Sequence, residues 1–93
     1  MEKEGNPTIL KALADSTRRK IIDLLKKEGR LAAGEIAAHF PLTQASISHH
    51  LSVLEKARLI SGQQEGKFIY YELNTTVLED VLHWIMSLIG GKK

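Results

Sequence analysis

The apolar residues of this chain recur at helical spacing as far as Ala57, alternate over Leu59–Leu73, and return to helical spacing after Asn74. That double switch of period admits few folds: a run of helices, one β-hairpin and a closing helix. In the alternating stretch Ile69, Tyr71 and Leu73 are set against Tyr70 and Glu72, with Gly62 and Gly66 interrupting the run. Glu65-Gly66 is the expected hairpin tip. Just before it, Thr43–Ala57 reads as a helix. Its cap is Thr43, whose hydroxyl can accept from an N–H of the first turn. At about 100° per residue, Ile47, Leu51, Leu54 and Ala57 gather on one side, with Val53 at the margin. Ala45, Ser48, His49, Ser52 and Lys56 fall opposite, and Gln44 stands at the N-terminal end. On this reading the outer face is uncharged except for Lys56. A face that is only solvated would carry Glu and Lys. Short hydrogen-bonding side chains instead let a helix backbone approach a polar surface, and the major groove of DNA is wide enough to take one.

Upstream, Asn6 can cap a short helix over 7–14, with Pro7 at its tolerated first position and Ile9, Leu10 and Leu13 on one side. Asp15 can cap a second helix that carries Ile21, Ile22, Leu24 and Leu25 and ends before Gly29. Leu31 is a short extended link. Ala33–Phe40 forms a compact third helix, and Pro41-Leu42 turns into the helix described above. The order is α-α-α-α-β-β-α, a mainly α chain with a β-hairpin wing: a winged helix-turn-helix. The plain alternative is a hairpin that only covers the core.

The last helix, over 75–89, can be capped by Asn74 or by a Thr76/Glu79 box. Val77, Leu78, Val81, Leu82, Trp84, Ile85, Met86, Leu88 and Ile89 spread over too wide an arc for one buried side. A core of 93 residues can hardly cover them, so a second subunit is expected. Gly90-Gly91-Lys92-Lys93 reads as a tail, and residues 1–93 as a single domain.

A net charge of +2 does not identify a nucleic-acid binder. Its distribution says more. Arg18, Arg19, Lys20, Lys26, Lys27 and Arg30 cluster against only Asp23 and Glu28, a solvated face or a grip for phosphates. Arg18 and Lys67, at the wing, are the candidate phosphate contacts. There is no cysteine, so no disulfide or thiolate site. The charged first residues are unlike a signal peptide, and no run approaches the roughly 20 apolar residues of a membrane span. A cytoplasmic protein without membrane insertion is expected. Catalysis would need an oriented base beside a nucleophile, and Ser48 and His49 share one exposed helix with nothing to orient the ring. A protein-binding adaptor would expose an apolar anchor where Gln44, Ser48 and His49 stand.

Four ordered motifs complete the picture. They are Asp15-Ser16-Thr17-Arg18-Arg19-Lys20-Ile21-Ile22, Ala33-Gly34-Glu35-Ile36-Ala37, Ser46-Ile47-Ser48-His49-His50-Leu51 and Gly66-Lys67-Phe68-Ile69-Tyr70-Tyr71-Glu72-Leu73. Together they resemble the ArsR/SmtB repressors over nearly the whole chain, and most of all an autorepressor branch of that family. The resemblance implies a homodimeric winged helix that represses its own or a neighbouring operon from a palindromic double-stranded operator. It puts base-edge contacts at Gln44, Ala45, Ser48 and His49; the capping Thr43, and Ser52 and Lys56 on the outer side of the wheel, complete the candidate DNA contacts. It puts the dimer seam on the first and last helices, at Ile9, Leu13, Val81, Trp84, Ile85 and Leu88. Ser16 and Arg58 depart from the Pro and Gly common at those places in the family. Many members sense metals. The thiolate cluster of the third helix is absent here, and Glu79, Asp80 and His83 are the only candidates on the last helix. No metal site and no cofactor are therefore expected. His39 reads as a helix-end residue and His50 as packing beside Leu51 and Leu54. The sequence names no inducer or anti-repressor, and release by an organic ligand or a metal is the alternative within DNA binding.

Overall fold

The computed structural model describes residues 5–90, and side chains from Ile9 onward. The first four residues and all of the expected tail but Gly90 lie outside that range. Five helices and three strands follow in order: α1 (Gly5–Leu13), α2 (Ser16–Glu28), β1 (Leu31–Ala32), α3 (Ala33–Ala37), α4 (Gln44–Lys56), β2 (Ile60–Glu65), β3 (Phe68–Leu73) and α5 (Thr75–Ile89). The helices fall where the apolar period puts them, with small corrections at the ends. Helix α1 begins at Gly5, so Asn6 lies within its first turn rather than capping it. Helix α3 ends at Ala37; His39 and Phe40 donate to Ile36 and Ala37, three residues back, in a tighter turn. Pro41 accounts for this, because the residue before a proline is pushed out of helical geometry. Asn74 occupies the N-cap position of α5 without a side-chain bond.

The extended link is a strand. Leu31 and Ala32 pair antiparallel with Tyr71 and Tyr70, so the hairpin becomes a three-stranded sheet in the order β1-β3-β2. Between β2 and β3 the register runs from Ile60↔Leu73 to Glu65↔Phe68. The two-residue loop is therefore Gly66-Lys67, one residue beyond the expected tip. Gly66 has φ 65° and Lys67 a negative φ, the pattern of a turn that takes Gly at its first central position.

Ile21, Leu25, Ile36, Ile47, Leu51, Leu54, Leu59, Ile60 and Tyr71 form the core, where α2, α3 and α4 meet the sheet. Gly62 is required by that packing: a Cβ there would lie 2.8 Å from the Tyr71 ring. Burial, helped by Glu55, holds the Tyr71 hydroxyl above its ordinary pKa. Helix α4 ends in a 6→1 bond from Leu59 N to Leu54 O (3.0 Å), with Arg58 at φ 64°. Only glycine adopts that conformation without steric cost. Arg58→Gly is therefore expected to stabilise the fold by about 1 kcal/mol in urea unfolding. An unchanged or lower midpoint would show that the Arg58 side chain offsets the strain.

Helix α5 behaves differently from the others. Val77 and Leu78, at its start, pack against the core, and none of its residues is buried. The molecule measures 49 × 27 × 26 Å with a radius of gyration of 14.3 Å, against about 12 Å for a compact chain of this length. Trp84, Ile85, Met86, Leu88 and Ile89 stand exposed along an apolar arm, Leu88 at 65% and Ile89 at 76%.

Candidate nucleic-acid interface

Helix α4 is fixed at its start and along one side. The Thr43 hydroxyl accepts from Ser46 N at 3.0 Å, and Ile47, Leu51 and Leu54 sink into the core. Thr43, Gln44, Ala45, Ser48, His49, Ser52 and Lys56 are thereby left exposed. They are small or hydrogen-bonding groups on the outer side of one rigid helix. Glu55 was missed and is also exposed on α4; at 100° per residue it falls between Gln44 and Ser48, so the same periodicity could have placed it. Its carboxylate is taken up by the wing, accepting from Gly62 N at 3.3 Å.

Lys67 stands exposed in the turn at the wing tip. Behind it, the Arg30 guanidinium sits 4.3 Å from the Tyr70 ring centre and pairs with Glu65. A stacked cation with an acid partner stiffens the hairpin that carries Lys67.

Arg18 is half-buried, with its guanidinium engaged within the fold. Its Nε donates to Ala12 O at 2.9 Å and its Nη2 to Lys11 O at 3.3 Å, while Nη1 lies 3.2 Å from His50 Nδ1. Arg19 Nη1 donates to Leu13 O at 2.7 Å. The last carbonyls of a helix have no partner within it, and these two arginines supply partners for α1. The basic cluster thus divides: Arg18 and Arg19 hold a helix end, Arg30 holds the wing, and Lys20, Lys26 and Lys27 remain exposed. His50 is half-buried, with polar partners that its apolar neighbours did not suggest. Its Nδ1 is 3.9 Å from Asp15 Oδ2. The Asp15 carboxylate caps α2 by accepting from Arg18 N at 3.0 Å. That bond, with the nearby charge of Arg18, holds its pKa below the ordinary Asp value. His39 is a helix-end residue, its Nδ1 3.0 Å from Glu35 O.

Of the seam candidates, Ile9 and Leu13 are half-buried against the core. Val81 is half-buried, and Trp84, Ile85 and Leu88 are exposed on α5. Leu10, Leu82, Met86 and Ile89 extend the exposed apolar surface beyond those six. Among the described residues, no three His, Cys, Asp or Glu side chains gather where they could hold a metal ion. Nor is any described helix long and apolar enough to cross a membrane.

Comparison with known proteins agrees with this geometry. Residues 15–61 match the profile of the bacterial regulatory protein family arsR. The transcriptional repressor SdpR of Bacillus subtilis is 53% identical over 82 residues, 88% of this chain and 90% of that protein. An arsenical resistance operon repressor of Staphylococcus aureus is 39% identical over 75 residues, 81% of this chain and 71% of its own. The crystal structure of an ArsR family transcriptional regulator superposes with a TM-score of 0.85 at 26% identity, covering 91% of this chain and 92% of that one. The solution structure of a homodimeric winged helix-turn-helix DNA-binding domain from Mycobacterium bovis shares the fold. Its TM-score is 0.73 at 24% identity, over 97% of this chain and 89% of the other. The relatives are transcriptional regulators rather than enzymes, and the chain belongs to the arsR family of bacterial regulatory proteins, with their DNA-binding winged helix.

Proposed function

We propose that the chain acts in the cytoplasm as a homodimeric repressor, built of a single winged helix-turn-helix domain, that binds a palindromic operator and controls its own operon without a metal inducer. The observation that carries this reading is the pairing of an exposed polar recognition face on α4 with an apolar arm that one protomer leaves open. One recognition helix reads a few base pairs, too few for the affinity of a specific site. A two-fold dimer places two of them about one turn of DNA apart. Gln44, Ala45, Ser48 and His49 would face base edges, with Thr43, Ser52 and Lys56 flanking them. Ile9, Leu13, Val81, Trp84, Ile85 and Leu88 would meet the second copy. The similarity to SdpR supports a repressor of this kind, and the homodimeric relative supports the assembly.

Lys67 is read as a backbone contact. Because each phosphate contact releases counterions, Lys67→Ala is expected to flatten the salt dependence of operator binding by roughly one unit of slope. An unchanged slope would put the wing tip away from the DNA.

Release without metal rests on the donor set. Thiolates are missing, and Asp80 and His83 on α5 are short of the closed tetrahedral set that structural zinc takes. A reporter on the chain's own promoter tests both parts. Expression is expected to rise when the gene is deleted, to fall when it is restored, and to ignore zinc or arsenite. No rise on deletion contradicts autorepression. Induction by a metal, abolished by His83→Ala, supports the metal-released alternative instead.

A further inference from the structure

Arg18 joins three elements that are far apart in their roles. Its backbone N–H bonds the Asp15 cap, so the start of α2 is fixed at this residue. Its side chain turns back to the end of α1, donating to Ala12 O and Lys11 O. The one remaining nitrogen, Nη1, reaches His50 on α4 at 3.2 Å. A guanidinium has donors only, so the His50 Nδ1 accepts and the ring proton sits on Nε2. Arg19 also holds α1, through Leu13 O.

The core contacts of α4 are apolar, through Ile47, Leu51 and Leu54. Such contacts hold a helix down but are non-directional. A planar guanidinium is directional, with its donors in a fixed fork. A helix of 13 residues is about 20 Å long. A tilt of roughly 10° about its middle therefore displaces each end by about 2 Å, enough to break a hydrogen bond to a base. We infer that Arg18 is a positioning residue for operator binding, setting the angle of α4 against α1 through its bond to His50. The inference rests on the proposed reading, in which α1 lies at the seam and α4 enters the groove.

The test uses the full chain and four variants: Arg18→Met, His50→Leu, the two combined, and His50→Asn. The Asn Oδ1 can take the place of Nδ1. Affinity is measured for the operator selected by the wild type and for a scrambled duplex, at several salt concentrations. Sedimentation and thermal unfolding establish that each variant is a folded dimer. Arg18→Met and His50→Leu are expected to weaken operator binding roughly tenfold, and the double variant no more than the worse single. His50→Asn stays near wild type. Scrambled DNA and the salt slope are unaffected. Equal losses on both duplexes, with a slope flatter by about one unit, would make Arg18 a phosphate contact and overturn the inference. A lower melting temperature with unchanged operator affinity would reduce it to a structural residue and overturn it equally. If Arg18→Met does not fold, the contrast between His50→Leu and His50→Asn decides alone. Selection by the wild type with unaltered variants defeats only this inference; a wild type that selects no sequence defeats the proposed function with it.

Discussion

Replacing Ile85 or Leu88 with Glu is expected to leave the chain monomeric and to weaken operator binding at least a hundredfold. Both side chains are apolar and lie outside the core in the single protomer, Leu88 largely exposed and Ile85 partly so, so neither substitution removes a core residue. In a two-fold dimer the same patch meets itself, and each change counts twice. A carboxylate buried there without a partner costs about 3–5 kcal/mol, more than enough to separate protomers at micromolar concentration. Sedimentation reports the assembly and a binding titration the consequence. Glu variants that stay dimeric would place the seam elsewhere and leave the apolar arm of α5 without an explanation.

The second large effect belongs to the recognition face. Gln44→Ala and His49→Ala are each expected to cost about 1–3 kcal/mol per half-site on the operator and clearly less on unrelated DNA. Both residues are exposed on α4, away from Ile47, Leu51 and Leu54, so the fold should not notice them. Equal losses on both DNAs would turn them into backbone contacts.

What the sequence discloses of this arrangement follows from what periodicity can carry. The recognition face and α5 are long and regular, so the side each helix buries, or cannot bury, is written in the spacing. Strand β1 is not, because two residues have no period; Leu31 and Ala32 become a strand only by pairing with Tyr71 and Tyr70, some forty positions on. The hairpin tip is displaced by one residue because Glu65-Gly66 and Gly66-Lys67 are both plausible turns locally, and the ladder from Ile60 to Leu73 decides between them. Arg18 shows the same limit for charge. In a basic cluster it reads as a phosphate grip, yet the end carbonyls of α1 lie only six and seven residues upstream and engage it first. Glu55, whose place on the outer side of α4 suggests no partner, is likewise drawn to the wing by Gly62.

Selection of binding sites from a random-sequence duplex library by the wild-type chain bears most directly on the central claim, that two recognition helices of a homodimer read DNA together. The expected product is a two-fold symmetric site with half-site centres about 10 base pairs apart, bound by two chains. An enriched sequence without symmetry, a stoichiometry of one chain per site, or no enrichment at all would contradict it.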